Sequence, residues 1–356
     1  MRPLIRVAFL TLLFLPFTGI AQQDSIDVFI VNQMKQQGIA GLSIGIIKNG
    51  KIVKANGYGQ ANIEWNVPAS EKTMYKIGSI SKQFVAVGIM KLAEAGKLKL
   101  SDPVTKFIKD APAKWKSITI RHLLNHTSGL ALDPPGFDGM KDQADSVYIR
   151  AAFANDLAYA TGSKYEYSNF GYFVLADIIR IVSHLSFADF MKKYVFDECG
   201  MSSTRTTSLE AIVPGRAAGY IKNSHDSLVN APNYIALRPS GAFLSNINDL
   251  LKWELCMQDN RLLTQKSWSQ VWSDTIRTAL TMDNEPIYYT YGWMINKVNG
   301  KQFAHHGGSL PGFKSVYFRY MQDKTAIIIL TNLDNTDAYG IAFGVADLLQ
   351  TVDKKD

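Results

Sequence analysis

Strand patterns at both ends of the chain, with a mainly helical stretch between them, constrain the fold more than any other feature. The early pair, residues 41–48 and 51–58, is joined by Asn49-Gly50, a dipeptide typical of two-residue β-hairpins. The late strand candidates are residues 289–297, 302–306, 313–320 and 324–331, followed by a closing helix at 338–352. This layout predicts an α+β fold: an antiparallel sheet, built from both ends of the chain and flanked by helices, with an inserted mainly helical domain.

The length of the chain, 356 residues, is enough for two domains. We expect a sheet domain formed by residues 22–84 and 240–356 and a helical domain formed by residues 85–239. The active site is expected between these two domains.

The first residues have the organisation of a secretory signal peptide, which we assign to residues 1–21. Arg2 and Arg6 form a basic start, an apolar run follows, and Gly19-Ile20-Ala21 supplies small residues before a cleavage site. We therefore expect a secreted or periplasmic protein whose mature chain begins near Gln22 and has no integral membrane span. An uncleaved membrane anchor is the alternative.

The charge of the chain excludes one class of partner. The formal net charge is +7, and removal of the two arginines in residues 1–21 leaves +5. This excess is scattered rather than gathered into a basic stripe, so we expect no nucleic-acid partner. We expect a small-molecule or peptide substrate, such as one derived from the cell wall, and no cofactor. The oligomeric state stays open.

Cys199 and Cys256 are the two cysteines of the chain. Export permits a disulfide between them, but a chain of this length forms a hydrophobic core without one. Because both lie beside apolar residues, we favour two buried free thiols, with a disulfide as the alternative.

One serine motif is interpreted as structural. Gly41-Leu42-Ser43-Ile44-Gly45 matches the G-x-S-x-G nucleophile elbow, which requires a tight turn between a strand and a helix. Here the motif lies within an apolar strand that continues into a hairpin. Ser43 is therefore expected to be a buried strand residue.

A second serine motif is a better candidate for chemistry. Ser79-Ile80-Ser81-Lys82 follows Gly78 and opens a helix that we expect to reach Ala95. The free N–H groups and the dipole of a helix start favour an alkoxide on Ser79, and Lys82 lies one turn away on the same face. Lys82 can carry a proton provided that burial lowers its pKa. The alternative is an N-cap serine followed by a surface lysine.

Two further motifs accompany it. Tyr167-Ser168-Asn169 precedes an apolar helix, and Tyr167 can act as a base only if a cation such as Lys82 depresses its pKa of about 10. The alternative is a half-buried tyrosine at a helix start.

The other motif is His305-His306-Gly307-Gly308-Ser309, at the end of the strand candidate 302–306. The glycines allow close approach to a ligand, and the Ser309 N–H could share an oxyanion with that of Ser79. Adjacent strand histidines face opposite sides, and no HExxH pattern accompanies them, so we expect no metal.

In this order, the motifs resemble those of the serine β-lactamase and penicillin-binding-protein superfamily. The closest similarity is to class C β-lactamases, D-alanyl-D-alanine carboxypeptidases and related esterases. The superfamily pattern S-x-x-K, Y-[AS]-N and [KH]-x-G is matched by Ser79 and Lys82, by Tyr167 and Asn169, and by His306 and Gly308. Residues 75–78, 123–130 and 240–245 match as well. The resemblance spans about residues 24–349 and implies a β-lactamase/transpeptidase-like fold.

The resemblance also implies roles for these residues. Ser79 would form an acyl-enzyme, and Lys82 and Tyr167 would move its proton. Asn169 would orient the substrate amide and Lys82, and the N–H groups of Ser79 and Ser309 would hold the oxyanion. A further matching position, His126, is expected to be structural.

One departure from the class C pattern bears on the substrate. His306-Gly307-Gly308 stands where those enzymes have Lys-Thr-Gly, and a histidine is only about a quarter protonated at pH 7. We therefore expect an ester or small peptide-like amide as substrate, as in D-alanyl peptidases and esterases. Arg238 could replace the missing charge. The alternatives are a true β-lactamase, a transpeptidase and a non-catalytic relative that binds cell-wall peptide.

Overall fold

The computed structural model of the chain describes residues 24–353, except residues 142, 209, 235–238, 240, 242 and 299. The expected signal peptide, its cleavage site and Arg238 lie outside the described residues. The described helices, in chain order, are α1 Ser25–Gln37, α2 Ser81–Glu94, α3 Ile120–Leu124, α4 Asp145–Ala151, α5 Asn169–Ser183, α6 Phe187–Met191, α7 Ile247–Gln258, α8 Gln265–Ser273 and α9 Ala338–Asp353. The described strands are β1 Gly41–Lys48, β2 Lys51–Asn62, β3 Val67–Pro68, β4 Tyr75–Lys76, β5 Arg205–Thr206, β6 Tyr220–Lys222, β7 Leu228–Asn230, β8 Phe243–Ser245, β9 Ile276–Met282, β10 Glu285–Tyr289, β11 Met294–Val298, β12 Lys301–Leu310, β13 Phe313–Tyr320 and β14 Thr325–Thr331.

A nine-stranded antiparallel sheet dominates the described part of the chain, in the order β3-β2-β1-β14-β13-β12-β11-β10-β9. β1, from the start of the chain, pairs with β14, from its end, so that Ile44 lies opposite Ile329. The predicted α+β fold, with an antiparallel sheet built from both ends of the chain, is confirmed. The division into domains at residues 84/85 and 239/240 stays a prediction.

The first hairpin forms as the sequence indicates. Asn49 and Gly50 have φ angles of 51° and 75°, and the left-handed conformation at both positions is what a two-residue turn matched to the strand twist requires. The preceding helix α1 ends at Gly38, with φ 71°, whose N–H bonds back to the Met34 carbonyl.

The late part of the sheet contains six strands, two more than we expected. The candidate at residues 289–297 is divided into β10 and β11, and β9 precedes them. Asp283 and Asn284 connect β9 to β10 with φ angles of 51° and 63°, so this turn has the same left-handed requirement as Asn49-Gly50. β12 runs on to Leu310, which places the His-Gly-Gly motif inside the strand rather than at its end.

The middle of the chain carries α2 to α6 together with the short strands β5 to β7. Ser186 caps α6 by accepting a hydrogen bond from the Asp189 N–H at 3.0 Å. Among the described residues no single helix is long and apolar enough to cross a membrane. One bent pair, Asn169–Ser183 and Phe187–Cys199 at 82°, reaches that length and composition when its two parts are taken together.

Both faces of the central strands are buried. Ile44 and Ile329 pack with residues of α1 and α9, including Ile30 and Val345. The opposite face packs against α7 and, beyond it, the core around α2 and α5. A Cβ atom at Gly45 would lie 2.8 Å from the Ile247 side chain, so this glycine lets α7 pack directly on β1.

Cys199 and Cys256 form a disulfide with their Cα atoms 5.6 Å apart, so our preference for two free thiols was wrong. Both cysteines are buried, and the fold packs the segment after α6 against α7. The bond closes a loop with a sequence separation of 57. In the chain-entropy model a loop of that length corresponds to about 4 kcal/mol of stabilisation.

Candidate active site

Ser79 lies in a single 3-10 turn, Gly78–Ile80, immediately before α2. Gly78 has φ 56°, and a Cβ atom there would come within 2.5 Å of the Ser309 backbone nitrogen. Position 78 therefore requires a glycine for two reasons: the left-handed backbone conformation and the close contact between this turn and β12. The contact places the residue before Ser79 against the Ser309 backbone, as an oxyanion hole formed by the Ser79 and Ser309 N–H groups requires.

Lys82 is fully buried on the first turn of α2. Its Nζ lies 3.0 Å from Ser79 Oγ and 2.8 Å from Asn169 Oδ1. Burial lowers the pKa of Lys82 well below its usual range, and the Asp133 carboxylate partly opposes that effect. The condition set by the sequence analysis for a proton-carrying lysine is met.

Asn169 is fixed from both sides. It opens α5, where Ser168 caps the helix by accepting a hydrogen bond from the Gly171 N–H at 3.1 Å. The amide oxygen of Asn169 accepts from Lys82, and its nitrogen donates to Asp133 Oδ1 at 3.0 Å. Asp133 therefore belongs to the site, because hydrogen bonds link it through Asn169 and Lys82 to Ser79. The sequence analysis missed this residue.

Tyr167 lies at the edge of the cleft, with its ring centroid 4.8 Å from Lys82 Nζ. The condition that the sequence analysis set for a tyrosine base, a pKa depressed by a neighbouring cation such as Lys82, is not met. The pKa of Tyr167 is raised well above its usual range, mainly because its hydroxyl is desolvated, although the Ser79 side chain opposes the shift. Burial therefore disfavours the charged forms of both Lys82 and Tyr167.

His306 is buried on β12 and is neutral. Its Nδ1–H donates to the Gly307 carbonyl at 2.7 Å, which leaves Nε2 to accept from the Tyr289 hydroxyl at 3.4 Å. Burial, and then Lys82, lowers the pKa of His306 to about 3. His306 therefore carries no charge at neutral pH with which to bind a substrate carboxylate.

His305 faces the other side of β12, as the alternation of a strand requires. Its ring nitrogens contact the Tyr339 hydroxyl at 2.9 Å and Asn296 Oδ1 at 2.8 Å. Within the described residues, no group of three histidine, cysteine, aspartate or glutamate side chains is placed to hold a metal ion.

At Gly307 and Gly308 of the third motif, different neighbouring atoms leave little room for a Cβ atom. A Cβ atom at Gly308 would lie 2.0 Å from the Ile77 carbonyl oxygen, so only glycine lets β12 approach the segment before Ser79. At Gly307, a Cβ atom would lie 3.0 Å from the ring of Tyr339. β11 pairs with β12 no further than His305, and the Gly307–Ser309 edge faces the cleft.

These residues surround one cleft of about 670 Å³. The predicted residues that line it are Ser79, Tyr167, His306, Gly308 and Ser309, and its other walls include Leu280, Met294, Lys314 and Tyr339. Lys82 lies behind Ser79 and donates to its Oγ, and Asn169 joins the group through its hydrogen bond with Lys82. The structure therefore brings all seven predicted site residues together.

His126 and Tyr289 support the site from behind. The His126 ring lies 4.3 Å from that of Tyr167 and 4.5 Å from that of Tyr289, and its Nδ1 accepts from the Ser168 N–H at 3.2 Å. This arrangement fits the structural role expected for His126. Tyr289, at the end of β10, was missed because its strand was misplaced in the sequence analysis.

Ser43 is a strand residue, as the sequence predicted. It is fully buried in β1, donates to the Ser70 carbonyl at 2.8 Å and contacts the Tyr75 hydroxyl at 3.0 Å. No turn between a strand and a helix is present at this position.

Comparison with known proteins gives consistent results. The family model described as "Beta-lactamase" matches residues 26–350. Protein flp from Staphylococcus aureus (strain MW2) is 28% identical over 320 residues, which cover 88% of this chain and 64% of that protein. The chain thus spans somewhat less than two thirds of the length of that relative.

Two solved structures superpose well. The octameric penicillin-binding protein homologue from Pyrococcus abyssi has a TM-score of 0.81 and 29% identity, with 92% of this chain and 77% of that chain covered. The D-amino acid amidase from Ochrobactrum anthropi SV3, complexed with L-phenylalanine amide, has a TM-score of 0.81 and 21% identity, with 93% and 98% covered.

Proposed function

The chain belongs to the β-lactamase family, and on that premise we propose that it is a serine hydrolase that acts through a Ser79 acyl-enzyme. The proposed substrate is an ester or a small peptide-like amide. The observation that carries the proposal is the 3.0 Å contact between Ser79 Oγ and the buried amine of Lys82.

The first step follows from the charge states of the two groups. A Lys82 amine that burial holds neutral can accept the Ser79 proton as Ser79 Oγ forms a bond to the substrate carbonyl carbon. The N–H groups of Ser79 and Ser309 would donate to the oxyanion that forms. Asn169, bonded to both Lys82 and Asp133, would keep the amine aimed at Ser79.

Tyr167 has a different role in this proposal from that of a phenolate base. Its raised pKa keeps the phenol protonated, so it can donate to the leaving group and regain a proton from the Lys82 ammonium. The acyl bond would then be hydrolysed by water, with Lys82 again accepting the proton. Each proton that leaves Ser79 or water thereby reaches the leaving group or the regenerated Ser79.

The preference for esters and small amides rests on His306. Because burial lowers its pKa to about 3, the cleft lacks at this position the fixed charge that a β-lactam carboxylate would contact. Losing a hydrogen bond to a charged group corresponds to roughly 1.5–3 kcal/mol, or ten- to hundred-fold in recognition. The similarity of the fold to a D-amino acid amidase supports including small amides among the candidates.

Export is part of the same proposal. The disulfide between Cys199 and Cys256 supports it, since such bonds persist mainly in oxidising compartments outside the cytosol. Whether the acyl group passes to water or to another acceptor would be read from the products formed with an added amine.

The experiment compares kcat/KM for p-nitrophenyl acetate, a D-alanyl dipeptide amide and nitrocefin, in the native protein and in His306→Lys. We expect turnover of the ester or the amide and at least ~10-fold lower kcat/KM for nitrocefin. His306→Lys should raise kcat/KM for nitrocefin, whereas the control His225→Lys, at an exposed position, should not. Native turnover of nitrocefin as fast as the ester would contradict the preference. Absence of any turnover and of any acylation would favour the peptide-binding relative.

A further inference from the structure

A second pocket, separate from the catalytic cleft, contains two cations. It has a volume of about 270 Å³ and lies between β4, the Arg216–Gly219 segment and the loop after β7. We refer to it as the Lys76–Arg216 pocket. Its lining residues are Lys76, residues 216–219, residues 230–233, Leu244 and Phe313, and none of them lines the catalytic cleft.

Lys76 is the more deeply buried of the two cations, with 5% of its surface exposed. Its Nζ donates to Asn233 Oδ1 at 2.5 Å and to the Tyr234 carbonyl at 2.6 Å, and the ring of Phe313 lies 5.9 Å away. All three partners are uncharged. Burial, and then the charge of Arg216, lowers the pKa of Lys76 to about 8, so it is mostly protonated at neutral pH.

Arg216 is also without a carboxylate partner among the described residues. Its Nη2 donates to the carbonyls of Ser208 and Ala211 at 3.3 and 3.4 Å, which are long bonds. Its buried Nε–H has no acceptor among the described residues. Burial, and then Arg205, lowers the pKa of Arg216, so the cations here repel one another.

The composition of the pocket is unusual for a protein interior. Buried charges are ordinarily paired, because removing an ion from water without a counter-charge costs several kcal/mol. Here the buried Lys76 and the partly exposed Arg216 line one cavity, and the residues that line it include no aspartate or glutamate. The remaining polar side chains of the lining, Asn230 and Asn233, are amides.

The walls limit what the pocket can hold. A Cβ atom at Gly219 would lie 2.6 Å from the ring of Phe313, so these walls are already in close contact. The volume suits a group of a few non-hydrogen atoms, and Nε–H and ammonium donors suit oxygen acceptors that carry negative charge.

We propose that the Lys76–Arg216 pocket binds a small oxyanion, supplied either as free phosphate or as the terminal carboxylate of a peptide. Anion binding in this pocket does not depend on which bond Ser79 is proposed to cleave. The anion-binding proposal and the hydrolase proposal can therefore fail independently. Lys76 ends β4 and lies three residues before Ser79 in the chain, and the Ile77 carbonyl between them accepts from Ser315 Oγ at 2.8 Å. A bound anion would therefore tie the segment that leads to Ser79 to the loop after β7.

The test measures the melting temperature of the folded protein against anion concentration at constant ionic strength. Inorganic phosphate, N-acetylalanine and uncharged N-acetylalaninamide are the three probes. At tenfold excess over Kd, an oxyanion that binds should raise Tm by about 2 °C, while the amide should not. A response to phosphate alone identifies free phosphate, and a response to N-acetylalanine identifies a peptide carboxylate.

Substitutions test whether the rise in melting temperature comes from binding in the Lys76–Arg216 pocket. Lys76→Met and Arg216→Gln should each abolish it, whereas Lys72→Met, which removes an exposed lysine on the same segment, should leave it unchanged. If Lys76→Met does not fold, as judged by circular dichroism, Arg216→Gln carries the test. An absence of any response in the native protein up to tens of millimolar would overturn the proposal, as would equal responses in the native protein and in Arg216→Gln.

Discussion

Ser43 and Ser79 occupy neighbourhoods that share several features. Each serine has glycines nearby in the chain, each is in contact with a tyrosine side chain, and each lies where a serine motif occurs. They differ in two respects. Ser79 has a lysine amine at 3.0 Å and opens onto a cleft of about 670 Å³, whereas Ser43 is sealed within β1 and donates its hydrogen to the Ser70 carbonyl.

The difference shows what a serine needs in order to react. Nearby glycines and a tyrosine partner are common to both sites, so neither is sufficient. A group that accepts the proton, and a cleft that admits the substrate, are found only at Ser79. Four substitutions, each paired with a control, test this comparison from the largest expected effect to the smallest.

Ser79→Ala should reduce kcat/KM for the best ester or amide substrate by at least ~10⁴-fold, because it removes the atom that forms the acyl bond. Ser43→Ala should leave kcat/KM within about twofold. It should instead lower the free energy of unfolding by about 1–3 kcal/mol, since the Ser70 carbonyl and the Tyr75 hydroxyl lose a buried partner. Denaturant titration and steady-state kinetics measure the two effects. Comparable activity losses in both variants would break the comparison.

Lys82→Arg should lower kcat/KM by at least ~100-fold, because arginine keeps a positive charge but cannot lose its proton within the protein. Lys91→Arg, further along α2 and paired with Glu198 at 2.6 Å, is the matched control and should change kcat/KM little. An arginine variant at position 82 with most of its activity would show that the charge, and not proton transfer, is what matters.

Tyr167→Phe should cost roughly 10–100-fold in kcat/KM, less than Lys82→Arg, because the amine can still accept the Ser79 proton. Tyr75→Phe removes the corresponding hydroxyl beside Ser43 and should affect stability without affecting kcat/KM. The protein should also lack a titrating tyrosinate at Tyr167 below pH 10, which ultraviolet difference spectra against Tyr167→Phe can detect. A Tyr167 tyrosinate present at neutral pH would restore the phenolate base that we reject.

Asp133→Asn should have the smallest effect, about fivefold or less in kcat/KM at neutral pH, comparable to one hydrogen bond. Its signature is in the pH profile. Asp133 raises the pKa of Lys82, and activity requires the neutral amine, so activity is lost as the pH falls through that pKa. Removing the carboxylate lowers the pKa further, and the acidic limb of kcat/KM should move to lower pH. Asp138→Asn, in the same loop, should not move it. A shift to higher pH would contradict the assignment.

Much of this site could be predicted from the sequence because its motifs are local. The step from Ser79 to Lys82 is one helical turn, and Ser168 and Asn169 mark a helix start, so spacing alone fixes their geometry. The Asn49-Gly50 hairpin and the closing helix were predicted for the same reason.

What could not be predicted depends on tertiary packing. Asp133 lies in a loop, and its contact with Asn169 spans 36 positions of the chain. The Cys199–Cys256 distance is set by how α7 packs, and no local pattern reports it. The direction of the pKa shift of Tyr167 could not be predicted, because the sequence does not show how completely the hydroxyl is desolvated.

The missed hairpin has a simpler cause. The sequence analysis did not consider Asp283-Asn284 as a turn, although both of its residues adopt the left-handed conformation found at Asn49-Gly50. Without β9 and β10 in place, Tyr289 could not be assigned to the site beside His306.

The most direct test of the central claim is the position of a covalent adduct. The native protein is treated with a fluorophosphonate probe, digested and mapped by mass spectrometry. Our account predicts one modified residue, Ser79, with labelling abolished in Ser79→Ala and slowed in Lys82→Arg. Ser81 is the internal control, since its hydroxyl is buried and donates to the Gly78 carbonyl at 2.6 Å. An adduct on Ser43 or Ser81, or undiminished labelling of Ser79→Ala, would contradict it.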